Sequence, residues 1–233
     1  MINGDCREIL KSGELIIPPI DMVLTDPPYG VAYKSTFGKG AVTREKYQSE
    51  IEADSTVAEA IESFHDTMMA MLPYLADTCE LYIFSEWHVS PSWHLYLESL
   101  AEYGISLEQL IIWEKGYPGL GDFTYNWGCG HEFIYYLKKG KRPVPYRRSG
   151  IIHVDKVRPG TNVHPTQKPL ELLDILIQYS TEPGQFVFDP YAGSGSTVVA
   201  ARDAGRSAIG IEIEPGYYET ACKRLQEGGL LSL

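Results

Sequence analysis

Asp26-Pro27-Pro28-Tyr29 places a carboxylate, a carbonyl and an aromatic ring side by side on a stiff stretch of chain. Asp26 can accept hydrogen bonds, and so can the Pro27 carbonyl, because proline lacks a donor but keeps its C=O. Two successive prolines fix φ, which suits acceptors that must be preorganised. Such acceptors fit one task well. The exocyclic amine of a nucleobase is a poor nucleophile, since its lone pair is delocalised into the ring. Acceptors aimed at its two hydrogens favour a pyramidal nitrogen with a localised pair. Tyr29 offers a ring face to a base flipped out of a duplex. Stacking there recovers roughly 1–3 kcal/mol, against a few kcal/mol of lost pairing. Taken alone, the same residues also describe a rigid turn after a strand.

A second group lies near the carboxyl end. Phe188-Asp189-Pro190-Tyr191-Ala192-Gly193-Ser194-Gly195-Ser196-Thr197 reads as a strand, a glycine turn and a helix start. Glycines let a backbone approach a ligand closely. Val198 stands where a dinucleotide fingerprint wants a small residue, and no Walker lysine follows. A nucleoside ligand without a pyrophosphate remains. Glu212, ending the next strand, is placed to accept from ribose hydroxyls. A purely structural strand-turn-helix corner is the alternative.

The 233-residue chain has a net charge of −11, which at first opposes a nucleic-acid partner. The charge is uneven, however. Between Lys138 and Arg158 eight Lys or Arg face only Asp155. Such a strip could grip phosphates or be a solvated loop. Cys6, Cys79, Cys129 and Cys222 fit neither a zinc motif nor a compact disulfide framework, so no metal is expected. No apolar run is long enough to span a bilayer, and the first residues do not read as a signal peptide, so a cytoplasmic location is expected.

The elements that must position these groups alternate. Strands are predicted over 22–25, 81–84, 107–113, 133–137, 186–188 and 207–211. Helices are predicted over 56–72 with Ser55 as cap, 91–103, 170–179, 196–204 and 217–226. This pattern implies an α/β fold with a mostly parallel sheet in one domain. Asp26, Asp189 and Glu212 each follow a predicted strand end, where ligands of such folds bind. Residues 30–54 read as a mobile functional loop carrying Lys34, Lys39 and Arg44. Residues 138–163 read as a short insertion carrying Lys141, Arg142, Arg147 and Arg148.

Several segments together resemble a known family. Asp189 to Thr197, Ile209-Gly210-Ile211-Glu212-Ile213-Glu214, His164-Pro165-Thr166-Gln167-Lys168-Pro169 and Ile2-Asn3-Gly4-Asp5-Cys6 resemble cofactor-binding segments of S-adenosylmethionine-dependent DNA amino methyltransferases. Asp26-Pro27-Pro28-Tyr29 resembles their catalytic loop. The catalytic loop precedes the cofactor loop, the circularly permuted order of the beta class. The resemblance implies a Rossmann-like, seven-stranded mixed sheet with one antiparallel strand and a small target-recognition insertion. It implies S-adenosylmethionine as cofactor and double-stranded DNA as partner. Asp5 would accept from the cofactor adenine, with the Cys6 backbone nearby, and Glu212 would hold the ribose. Asp189, Gly193 and Gly195 would line the methionine portion, with Thr166 and Lys168 near its charged ends, and Tyr191 would also bind the cofactor. Trp113-Glu114-Lys115 and Gly130-His131-Glu132-Phe133-Ile134 would be scaffold. Asp26 favours adenine N6 over cytosine N4 as target. A DNA-binding protein that kept the fold without turnover is the rival of another class. A compact chain of this kind would suit a phage or prophage genome. A homodimer stays open, and no restriction nuclease partner is indicated.

Overall fold

On β2 (Ile20–Thr25), Met22 and Leu24 pack into one apolar cluster and Val23 into another, which Ile20 joins across a register shift between Ile20 and Met22. Successive strand residues point to opposite faces, so β2 is covered on both sides. The computed structural model describes residues 1–30, 56–116, 124–125, 127–156 and 167–229. Among these the remaining strands are β1 (Ile2–Asn3), β3 (Leu75–Ser85), β4 (Ile105–Glu114), β5 (His131–Lys139), β6 (Ile151–His153), β7 (Phe186–Asp189) and β8 (Ser207–Glu212). The helices are α1 (Cys6–Lys11), α2 (Val57–Met71), α3 (Ser90–Ser99), α4 (Leu170–Ser180), α5 (Ser196–Asp203) and α6 (Pro215–Gly229).

The strands form one sheet in the order β1-β8-β7-β2-β3-β5-β4-β6. Only β5 runs antiparallel to its neighbours, as the resemblance implies. The sheet has eight strands rather than the expected seven. Two strands not read in the sequence, β1 and β6, are short and occupy the two edges. Such lengths carry too few residues for a period-two pattern. Part of the expected insertion therefore belongs to the sheet, with Lys138 and Lys139 on β5 and 151–153 forming β6.

Phe64 and Met68 of α2 and Trp93 and Leu97 of α3 cover one face. Leu172, Leu176 and Ile177 of α4 and Ala200 of α5 cover the other. The expected Ser55 cap lies outside the described residues, and Thr56 performs that task, its hydroxyl accepting from the Glu59 amide at 3.2 Å. The helix expected to reach residue 103 ends at Ser99 and continues as a 3-10 turn, Leu100–Tyr103.

Candidate active site

The sheet order puts the carboxyl ends of β8, β7 and β2 next to one another. The chain leaves β2 for β3 on one side and β7 for β8 on the other, so a crevice opens between β2 and β7. Asp26 follows β2, Asp189 ends β7 and Glu212 ends β8. The shared placement expected from the sequence holds.

On the β7 and β8 side, Asp189 is buried at 3% exposure. Its Oδ1 accepts from Thr25 Oγ1 at 2.8 Å and from the Tyr191 amide at 3.1 Å. Burial pushes its carboxyl up to about 7, against the opposing hydrogen bonds of Thr197 and Thr25. Glu212 is also buried, and burial raises its carboxyl too. Its Oε2 accepts from the Gly193 amide at 2.7 Å and its Oε1 from the Glu214 amide at 2.8 Å. Lone pairs on both oxygens are left over.

The two loop glycines do different work. Gly193 has φ +52, and a Cβ built there would meet nothing within 4 Å. Gly195 has φ +79, and a Cβ there would lie 2.8 Å from the Ala221 Cβ of α6. Gly193 thus faces open space, while Gly195 permits helix packing. Arg224 of α6, which belongs to none of the motifs, supports the loop from behind, donating to the Ser194 carbonyl at 2.6 Å.

At the amino-terminal turn, the Gly4 amide donates to the Glu212 carbonyl at 3.0 Å, which brings Asp5 beside the β8 end. Asp5 caps α1 through the Arg7 amide and also pairs with the Arg7 guanidinium at 2.5 Å, which holds its carboxyl below the usual range. The Cys6 side chain is buried, 3.5 Å from Thr67 Oγ1, which in turn meets Tyr191 Oη at 2.7 Å. The Tyr191 ring stacks on Phe64.

On the β2 side, Pro27 is buried and Pro28 and Tyr29 half-buried. The Tyr29 hydroxyl donates to Asp26 Oδ1. Burial, reinforced by the Asp26 charge, raises the Tyr29 phenol far above its ordinary value, so it stays a donor. Lys168 Nζ lies 2.7 Å from Asp26 Oδ2 and 3.0 Å from Glu132 Oε2. Glu132 Oε1 is 2.6 Å from Lys115 Nζ. The resemblance placed Lys168 beside the cofactor methionine and read Glu132 and Lys115 as scaffold. In the structure all three join Asp26 in one ionic row.

Arg142, expected to contact DNA, donates to the Tyr179 carbonyl at 3.1 Å and to Gln185 at 3.3 Å. It also lies 3.9 Å from buried Glu80. The β3–β5 register puts this cluster at the opposite end of the sheet from Asp26. Lys141 is exposed beside it, and Arg147 and Arg148 are exposed further on, with Arg148 close enough to Tyr179 to interact electrostatically. Lys34, Lys39, Arg44 and Thr166 lie outside the described residues. Among the described residues no group of three or more His, Cys, Asp or Glu could hold a metal, and no helix is long and apolar enough to cross a membrane.

Residues 20–223 match the family model of the N6/N4 type described as DNA methylase. The Escherichia coli (strain K12) protein named "Putative methylase YubD" is 30% identical over 226 residues, covering 96% of this chain and 88% of that one. Type II methyltransferase M2.DpnII of Streptococcus pneumoniae is 28% identical over 226 residues, covering 89% and 82%. The fold is similar to that of M1.HpyAVI solved as a SAM complex, with a TM-score of 0.71, 24% identity, and 96% and 97% of the two chains covered.

Proposed function

Because this chain belongs to the N6/N4 DNA methylase family, the S-adenosylmethionine-dependent DNA amino methyltransferases, we propose that it methylates N6 of an adenine flipped from double-stranded DNA. The observation that carries this reading is the meeting of two strand ends. Asp26 after β2 and Asp189 on β7 flank one crevice, and Thr25 Oγ1 joins the strands at 2.8 Å from Asp189.

The cleft fits a nucleoside with a charged tail. Glu212 is a buried acceptor at a strand end, suited to ribose hydroxyls. Gly193 leaves open space where a side chain would otherwise stand. Tyr191, Asp189 and Gly193 are proposed to line the methionine portion, and Gly195 to shape the loop through its packing on α6. Asp5 already shares its carboxylate with Arg7. Its assignment to the adenine therefore rests on the position of the turn beside Glu212, with the Cys6 backbone as neighbour.

When bound, S-adenosylmethionine would supply an activated methyl sulfonium, the amine nitrogen gaining the methyl group as the sulfur keeps the electron pair of the broken C–S bond. The protein has to align the amine and localise its lone pair. Asp26 and the Pro27 carbonyl accept from the amino hydrogens, and Tyr29 stacks on the base while its hydroxyl steadies Asp26. The nitrogen loses one proton overall, which passes to solvent. Alignment of this kind can lower a barrier by on the order of 7 kcal/mol or more. Phosphate contacts are proposed for the exposed Lys141, Arg147 and Arg148 and for Lys34, Lys39 and Arg44, but not for Arg142.

The test is transfer of labelled methyl groups to duplex DNA by the wild-type chain and by Asp26→Ala. Label in DNA with the wild type, and none with the variant despite retained cofactor binding, supports the proposal. Undiminished transfer by Asp26→Ala refutes it.

A further inference from the structure

Asp26, Lys168, Glu132 and Lys115 alternate in charge, with successive contacts of 2.7, 3.0 and 2.6 Å. Asp26 and Lys115 follow the ends of β2 and β4, Lys168 lies just before α4, and Glu132 stands near the start of β5. The side chains of Lys168, Glu132 and Lys115 are 14%, 19% and 12% exposed, whereas Asp26 at the mouth is 33% exposed. The row therefore runs inward from the proposed catalytic carboxylate. Charges withdrawn from water in this way are tolerated only when well paired.

Burial by itself would raise the Glu132 carboxyl, but the Lys168 and Lys115 ammonium groups outweigh it and hold it at about 2. Burial would lower Lys168, yet Asp26 and Glu132 keep it raised and charged. Its ammonium also sits 4.6 Å from the centre of the Phe84 ring, a cation–π contact. A flexible lysine stem is thereby pinned from three sides. Asp26 is in turn gripped at both oxygens, by Lys168 on Oδ2 and by the Tyr29 hydroxyl on Oδ1. A carboxylate oxygen has two lone pairs, so one on each remains for a substrate amine.

We propose that Lys168, anchored by Glu132 and Lys115, is a positioning residue that locks the Asp26 carboxylate in the one orientation from which it receives the target amine. The inference rests on Asp26 being the acceptor proposed above. It gives Lys168 to the base side of the cleft rather than to the cofactor. Glu132 and Lys115 then serve as a second tier whose loss releases Lys168.

The experiment measures S-adenosylmethionine affinity and single-turnover methyl transfer at saturating cofactor and DNA, for Lys168→Met, Glu132→Gln and Asp26→Ala. Lys168→Met is expected to bind cofactor as the wild type does and to lose about 10²-fold in rate, the scale of a misplaced reacting group. Glu132→Gln keeps the shape of the side chain and carries the test if Lys168→Met does not fold. It should lower the rate in the same direction with cofactor affinity intact. Weakened cofactor binding with an unchanged saturated rate would overturn the inference by returning Lys168 to the cofactor. Wild-type rates in both variants, with Asp26→Ala inactive, would overturn it while leaving the role of Asp26 standing. Wild-type activity in Asp26→Ala would overturn the underlying reading.

Discussion

Thr25 Oγ1 donates to Asp189 Oδ1 at 2.8 Å, joining the strand that leads into the Asp26-Pro27-Pro28-Tyr29 loop to the strand that leads into the glycine loop. The two loops are distant in sequence, and this bond ties their strands together directly below the crevice. It also leaves a carboxyl group almost wholly out of water.

That burial makes stability depend on pH. The folded-state value of Asp189, about 7, lies above its ordinary 3.8. The folded chain therefore holds a proton that the unfolded chain releases. The stabilisation is full below about pH 4 and is lost as pH rises through about 7. Asp189→Asn removes the titration while keeping an oxygen for Thr25. Chemical denaturation across pH 4 to 8 should show the variant gaining on the wild type by a few kcal/mol. Parallel pH profiles would contradict this.

Glu132 works in the opposite sense. Its folded-state value, about 2, lies below its ordinary 4.5. The stability it contributes is present above about pH 4.5 and lost as pH falls toward 2. Glu132→Gln should therefore be less acid-sensitive than the wild type in a thermal melt series. An unchanged acid limb would contradict the ion pairs described for it.

Gly193 and Gly195, in the loop proposed to hold the cofactor, should separate under substitution. Gly195→Ala meets Ala221 at 2.8 Å from a left-handed backbone and should destabilise the chain by about 1–3 kcal/mol. Gly193→Ala meets open space, so only the backbone strain of about 1–2 kcal/mol applies. Its larger effect should fall on cofactor affinity, because the added methyl occupies the cleft. Denaturation and cofactor titration on both variants distinguish the two effects; equal behaviour would contradict the assignment.

Arg142→Ala should weaken the fold by about 1–3 kcal/mol, since it strips hydrogen bonds from a site around buried Glu80. DNA affinity, measured on the folded variant, should be unchanged. Arg147→Ala is exposed and should do the reverse, flattening the salt dependence of DNA binding. A loss of DNA affinity in Arg142→Ala would restore the reading that charge alone supported.

These contrasts mark what the sequence made legible. Asp26, Asp189 and Glu212 could be placed in one cleft because each ends a short apolar strand next to a distinctive turn, and parallel sheets gather such ends. Lys115 and Glu132 could not. They flank the connection between β4 and β5, and they reach Asp26 only because the sheet order folds β3, β5 and β4 together. No local pattern encodes that meeting. The contacts of Arg142 were hidden for a related reason. A count of charges does not tell a solvated arginine from one turned toward a buried glutamate on another strand. The edge strands escaped notice because two or three residues cannot display a period.

The central claim is that this cleft methylates the amine of adenine in DNA. It is tested most directly by incubating the protein with S-adenosylmethionine and duplex DNA and analysing the digested nucleosides by mass. The expected product is N6-methyladenosine in its deoxy form. N4-methylcytidine in its place would overturn the adenine assignment, and the absence of any methylated nucleoside would contradict the catalytic account as a whole.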